Sequence, residues 1–290
     1  MTIWNLGSIN ADHVYAVPHI PGPGETLAAT RLTTGLGGKG ANMSVAAARA
    51  AARVMHIGAI GPEGAWAVSR LIEYGVDTRF VAALDTPTGH AIIQVDAQGE
   101  NTITLFTGAN RVVPFDLVRA ALTEAQTGDR LLLQNETNLQ PETAALARQM
   151  GLTVAYAAAP FDAQATAAIL PHADFLILNA VEADQLRAAT GLAPDALPTA
   201  DVIVTRGADG ADWFDNRGRA HHHIPAIPVT PVDTTGAGDT FTGYVLAALD
   251  RGLPMLQALQ LATRAGALMV TRPGAADVIP DLSEVTAFRP

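Results

Sequence analysis

The stretch from Val232 to Phe241 reads Val-Asp-Thr-Thr-Gly-Ala-Gly-Asp-Thr-Phe. Gly236, Ala237 and Gly238 carry nothing larger than a methyl and lead into the apolar helical pattern Phe241, Tyr244, Val245, Ala248, Leu249. The spacing predicts a loop that becomes the first turn of a helix, with its backbone N–H groups unpaired. Such a start gathers about half a positive charge and several free donors, which suits an anion whose charge grows during reaction. Asp239 stands at the same spot as a group able to take a proton, so an anion hole and a base coincide. For the motif alone, a glycine-rich turn with Asp239 as N-cap is the plainer alternative.

A second glycine cluster, Gly35-Leu36-Gly37-Gly38-Lys39-Gly40-Ala41-Asn42, feeds a helix through Met43, Ala46, Ala47, Ala50 and Ala51. It contains G-x-G-x-x-G, but no Asp or Glu lies between Leu27 and Pro62 to hold a ribose, which excludes a dinucleotide fingerprint. Lys39 lacks the following Ser or Thr of a Walker loop. What remains is backbone lying tightly on a small ligand, with Asn42 facing it. Asn10 and Asp12 alternate with Ile9 and Ala11, so on a strand they share a face; they could hold hydroxyls or simply meet solvent.

The 290 residues suffice for one large domain or two smaller ones. No apolar run reaches the roughly 18 residues a membrane span needs, and the N-terminus lacks the layout of a secretion signal, so a cytoplasmic protein is expected. Zero cysteines exclude disulfides and thiolate chemistry. A formal net charge of -10, with 18 Lys and Arg spread along the chain, argues against a nucleic-acid surface.

The elements that must position these groups alternate. Strands are expected at 2–7, 54–58, 76–83, 130–133, 153–156, 175–178 and 202–205, and helices at 63–74, 115–125, 142–150, 181–189 and 254–270, followed by an irregular tail. Short apolar strands between amphipathic helices mean a parallel sheet covered on both faces, with ligands beyond the strand C-termini. Asn135-Glu136, Asn179 with Glu182, and Thr205-Arg206-Gly207 fall just past those ends. Residues 12–17, 28–34, 89–96 and 101–107 instead read as strands of a small separate sheet, the last two joined as a hairpin. The acids and amides Asn10, Asp12, Asn42, Glu136 and Asp239, with Lys39 as their one cation, suit a neutral polyhydroxylated ligand. Asn179, Glu182, Thr205, Gly207 and the 236–238 loop suit a nucleotide polyphosphate with Mg²⁺.

Taken with Gly7-Ser8-Ile9-Asn10-Ala11-Asp12, Pro23-Gly24-Glu25-Thr26, Gly108-Ala109-Asn110 and Val270-Thr271-Arg272, these motifs make the chain resemble the PfkB family of carbohydrate kinases, most closely its ribokinase branch. The similarity covers nearly the whole chain. It implies one domain over 1–290, a ribokinase-like three-layer α/β/α core with a mostly parallel sheet, and a small β-sheet lid from about 12–34 and 88–107. The implied reaction is transfer of the ATP γ-phosphate to the primary hydroxyl of a small sugar, D-ribose before others. Another sugar or a nucleoside as acceptor, or a sugar-binding regulator without turnover, are the alternatives. A nucleoside would call for a bulky apolar lid lining, and the lid strands offer mainly Val14, Tyr15, Val17 and Ile92.

Residue by residue, the resemblance implies sugar contacts from Asn10, Asp12, Gly38, Lys39, Asn42 and Glu136. It implies Asp239 as base, with the N–H groups of Gly236, Ala237 and Gly238 on the transferring phosphoryl group. Nucleotide contacts fall to Asn179, Thr205, Gly207, Gly210, Gly238 and Thr263, and Mg²⁺ to Glu182. A monovalent cation, K⁺, falls to Asp233, Thr235, Met269, Arg272 and Gly274. Three departures touch the donor side: Val278 replaces a hydroxyl residue in the cation loop, Thr263 an Asn or His beside adenine, and Ala157 an Asn after its strand. His221-His222-His223 cannot converge on a metal, since successive strand residues alternate faces. Asp209, Asp212 and Asp215 read as turn and edge residues, and Trp4, Trp66 and Trp213 as packing. One apolar face of an exposed lid sheet points to a homodimer.

Overall fold

The computed structural model describes residues 1–289. Runs of Ile, Leu, Val and Ala without polar alternation form its inner strands, and the alternating runs form a second sheet. In chain order the strands are β1 (Thr2–Leu6), β2 (Asn10–Ala16), β3 (Arg31–Gly37), β4 (Arg53–Ile60), β5 (Asp77–Ala83), β6 (Gly89–Val95), β7 (Asn101–Phe106), β8 (Arg130–Gln134), β9 (Thr153–Ala157), β10 (Phe175–Asn179), β11 (Asp201–Thr205), β12 (Ala211–Asp215) and β13 (Ala220–Ile224). The main sheet has the order β13-β12-β11-β10-β9-β8-β1-β4-β5, and the small one β3-β2-β6-β7. From β11 to β5 all neighbours are parallel, while β12 and β13 add an antiparallel edge.

Helices α1 (Lys39–Arg49), α2 (Ala65–Glu73), α3 (Phe115–Thr123), α4 (Gln140–Gln149), α5 (Ala163–Ile169), α6 (Ala180–Thr190), α7 (Ala237–Asp250), α8 (Met255–Met269) and α9 (Leu282–Ala287) cover both faces. Met43, Leu71, Tyr244, Leu259 and Val285 bring α1, α2, α7, α8 and α9 into one core, and Val118, Ala144, Ile169 and Leu186 bring α3 to α6 into the other. The three-layer fold matches the expectation, with four differences. The β12–β13 hairpin was not foreseen as part of the sheet, because Asp212, Asp215 and three histidines break its apolar pattern. Helix α5 is built largely of Ala, Gln and Thr and carries little periodicity. The tail holds α9, started by an Asp281–Glu284 capping box. Ala157 ends β9 rather than following it.

The chain leaves β1 for the small sheet, continues to β4 and β5 on one side, and returns as β8 on the other side of β1. The strand order therefore reverses between β1 and β8, where open sheets of this kind place their ligand crevice. Beneath it lies a buried polar chain. Gln134 Nε2 donates to Asn5 Oδ1 (2.8 Å), and Asn5 Nδ2 donates to the Gly40 carbonyl and to Ser44 Oγ, both at 2.8 Å. Ser44 Oγ meets His56 Nδ1 at 2.8 Å, and His56 Nε2 meets the Gly7 carbonyl at 3.1 Å. Burial, opposed by the Gly7 carbonyl, pushes the His56 imidazole down to about 4. A depressed folded value means stability that is present above the unfolded pKa, near 6.5, and lost as pH falls towards 4. Urea titrations should show a loss of roughly 1–3 kcal/mol across that window. The loss should flatten in His56→Gln.

Helices α1 and α7 approach closely because Gly243 has no side chain: a methyl there would lie 2.5 Å from Ala46 Cβ and 2.7 Å from the Met43 carbonyl. One turn earlier on each helix stand Asn42 and Asp239, so the same contact that joins the helices aligns these two side chains.

Candidate active site

Asn42 Nδ2 donates to Asp239 Oδ2 at 2.9 Å, and both side chains are almost wholly buried. The other amide atom, Asn42 Oδ1, is buried and accepts no hydrogen bond. A buried acceptor without a donor is costly, so a ligand hydroxyl at this point would satisfy it. Asp239 lies in the first turn of α7, whose N-cap Gly236 takes a left-handed φ of 74°. Gly236 abuts Met269 and Asn42; an added methyl would lie 3.0 Å from Met269 Cε and 3.6 Å from Asn42 Nδ2. Above Gly238 nothing comes within 4 Å of such a methyl. The Ala237 N–H donates to the Thr234 carbonyl at 3.2 Å, whereas those of Gly236, Gly238 and Asp239 find no acceptor among the described residues. The free donors at this helix start are thus two of the three expected, plus the Asp239 N–H.

Ser8 and Glu136 each follow the end of a strand, β1 and β8, on the two sides of the crevice. Ser8 Oγ donates to Glu136 Oε2, which also accepts the Lys39 N–H at 3.0 Å, while Ser8 Oγ accepts the Gly40 N–H at 3.2 Å. Gly38, at φ 91°, lies close to the Ser8 carbonyl and the Asn10 N–H. Asn10 Oδ1 accepts from Asn110 Nδ2 at 2.7 Å, and Asn110 Oδ1 accepts the Ile9 N–H. Asp12 lies against Gly37, where a methyl would fall 2.0 Å from its Oδ2. Ser8 and Asn110 were legible only as members of longer motifs; their tasks are to orient Glu136 and Asn10.

Burial, then the charges of Glu136 and Asp239, push the Asp12 carboxyl up to about 7. The same three acids therefore share one space. The Lys39 ammonium is held above its ordinary value by Asp239, against burial, with Glu136 and Glu182 adding to the effect. For Asp12 the linkage sign is unfavourable at high pH: its contribution is full below about 3.8 and lost as pH rises through 7. Asp12→Asn should accordingly gain about 1–3 kcal/mol more stability at pH 8 than at pH 5. Thermal unfolding of both proteins at the two values checks this.

Glu182 is a further acid near enough to act on the Lys39 ammonium. Asn179 and Glu182 form a capping box at the start of α6, each accepting the other's N–H at 2.8 Å. Burial pushes the Glu182 carboxyl up, offset by the Asn179 N–H and Lys39. Thr205 is the register neighbour of Asn179 across β10 and β11, and its Oγ1 donates to the Leu178 carbonyl at 3.3 Å. Gly207 and Gly210 take positive φ in the turn beyond it. Thr263 lies one turn before Gly266, which faces the Ala237 carbonyl, and its buried Oγ1 has no partner.

Asp233 ties the loop before the cradle: its Oδ1 accepts the Thr235 N–H (2.9 Å) and its Oδ2 the Gly274 N–H (3.0 Å). The Met269 carbonyl accepts the Arg272 N–H, and the Arg272 guanidinium turns away to Glu284 at 2.7 Å. No N–H donates to the carbonyls of Thr235, Arg272 or Gly274 among the described residues.

Away from the crevice, Asp212 is not an edge residue as expected but a buried hub. It accepts from Arg206 Nε, from His221 Nε2 (3.1 Å) and from His223 Nδ1 (2.9 Å), while His222 stacks on Trp213 from the opposite face. Among the described residues no group of His, Asp and Glu is arranged to hold a metal, and no helix is long and apolar enough to cross a membrane.

A helix-start cradle with one buried carboxylate, set at the reversal point of an α/β sheet beside a small second sheet, suits the transfer of a phosphoryl group to an alcohol. Residues 3–282 match the model of the pfkB family carbohydrate kinases. The chain is 35% identical to ribokinase of Haemophilus influenzae over 304 residues, covering 99% of this chain and 98% of that protein. It superposes on ribokinase of Thermotoga maritima with a TM-score of 0.89 at 31% identity, covering 99% and 98% of the two chains. For Arabidopsis thaliana ribokinase complexed with ribose and ATP the TM-score is 0.84 at 27% identity, with 99% of each chain covered. The chain belongs to the PfkB family of carbohydrate kinases, enzymes that phosphorylate sugars at the expense of ATP.

Proposed function

We propose that this chain transfers the γ-phosphate of ATP to the primary hydroxyl of D-ribose, giving ribose 5-phosphate. One observation carries the reading: Asp239, fixed by Asn42, sits between the acids and amides of the Ser8–Glu136 side and the free N–H groups of the α7 start. The ribokinases of Haemophilus influenzae and Arabidopsis thaliana supply the sugar by similarity.

In this reading Asn10, Asp12, Gly38, Lys39, Asn42 and Glu136 hold the sugar, and the orphan Asn42 Oδ1 accepts one of its hydroxyls. Asp239 takes the proton of the primary hydroxyl as that oxygen attacks the γ-phosphorus. The free N–H groups of Gly236, Gly238 and Asp239, joined by the Lys39 ammonium, stabilise the charge on the phosphoryl group in flight. Asn179, Thr205, Gly207, Gly210 and Thr263 hold the nucleotide. Glu182 keeps one carboxylate oxygen outside its capping box, which fits a water-bridged Mg²⁺ that would neutralise phosphate charge. The free carbonyls of Thr235, Arg272 and Gly274 beside Asp233 are the hard oxygen donors a K⁺ ion takes, although Val278 offers none. A phosphorylation screen over ribose, 2-deoxyribose, hexoses and nucleosides, with and without K⁺, tests the assignment. A preference for nucleosides, or no ATP consumption with any sugar, would overturn it.

The same reading includes a cytoplasmic setting and a homodimer through the lid, with no nucleic-acid or membrane partner. Leu32, Ile92 and Phe106 are large, apolar and exposed on the face of the small sheet turned away from Asp12, while Ile103 and Leu105 are exposed on Asp12's own face; the outward face is the one a second lid would cover. Sedimentation at micromolar concentration should give a dimer; a monomer removes that part.

A further inference from the structure

The segment after α8 makes a short turn, Ala276–Val278, that touches both halves of the site. On one side the Cα of Ala275 lies 3.9 Å from where a Gly236 methyl would stand, so the turn backs the cradle. On the other it packs against β3, the lid strand that ends at Gly37, and Asp277 Oδ2 would lie 3.9 Å from a methyl on Gly35. The turn is gripped from behind. Asp277 Oδ1 accepts from Arg70 Nη2 at 2.6 Å and from the Tyr74 hydroxyl, and Arg49 of α1 donates to the Ile279 carbonyl. Both guanidinium groups lie over the Tyr74 ring, at 4.6 Å for Arg49 and 4.9 Å for Arg70.

Surface ion pairs add little to stability, so the weight of this assembly lies in geometry: a rigid aromatic plate and two planar forks fix where the turn sits. Resting on the proposed sugar and nucleotide sites, we infer that Asp277 is a positioning residue through which the phosphate cradle and the lid feel one another. A nucleotide that settles the cradle fixes the turn, and the fixed turn braces β3 over the sugar.

The test is the affinity for ribose measured by calorimetry with and without ADP, in the wild type and in Asp277→Ala. In the wild type ADP should tighten ribose binding at least about fivefold. In Asp277→Ala the factor should drop below about twofold, with each ligand's separate affinity changed by less than about threefold. Merely loosened folding would weaken both separate affinities and leave their ratio. If Asp277→Ala does not fold, the double variant Arg70→Gln, Tyr74→Phe removes both side-chain donors to Asp277 and should lose the same coupling. Intact coupling in either folded variant, or none in the wild type, overturns the inference. A wild type that binds neither ligand removes the proposed function as well, which tells the two failures apart.

Discussion

Asp239→Asn is expected to leave ribose and ATP binding within a few-fold and to lower kcat by about 10² to 10⁴. The amide has the shape of the carboxylate, and its oxygen can still accept from Asn42 Nδ2, so the alignment of α1 and α7 survives. What it cannot do is take the proton of the attacking hydroxyl. The loss should therefore appear in kcat rather than KM, the mark of an interaction made in the transition state. Turnover at the normal rate would reject Asp239 as the base.

Gly238→Ala should separate stability from activity in the opposite direction. Gly238 lies inside the first turn of α7 in ordinary helical backbone, and a methyl there meets nothing within 4 Å. Replacing glycine by alanine in a helix stabilises by about 0.5–1 kcal/mol, so the midpoint of thermal unfolding should rise slightly. The same methyl occupies the open space over the free N–H groups where the phosphoryl group must come to hydrogen-bond distance. A fall of about 10² in kcat/KM for ATP is expected, comparable to losing one oxyanion donor. Steady-state kinetics beside calorimetric melting decides it: unchanged kcat/KM would mean the phosphoryl group does not lie over Gly238.

Much of this arrangement was legible in the chain because local pattern encodes it. Two glycine runs, each leading straight into an apolar helix, announce two helix starts, and the Asn or Asp in the first turn of each names the groups displayed there. The layers follow from unbroken apolar strands set between amphipathic helices. What local pattern does not encode is partnership at long range. Ser8 with Glu136 and Asn10 with Asn110 are each separated by 100 residues or more. The buried His56 chain joins four elements, and Asp212 turned from an edge acid into a hub once β13 folded back beside it. The engaged Ala237 N–H escaped for a different reason, since a one-residue difference in how the loop closes decides which donors stay free.

The crowding of Asp12, Glu136 and Asp239 around one ammonium has a result beyond the forward step. An uncharged sugar enters this neighbourhood without electrostatic cost, whereas on the proposed reading the product carries a dianionic ester beside three carboxyl groups, offset only by Lys39 and the cradle N–H groups. Repulsion at such range in a partly buried space amounts to several-fold or more in affinity. Inhibition assays should accordingly show accumulated sugar phosphate binding several-fold more weakly than the parent sugar.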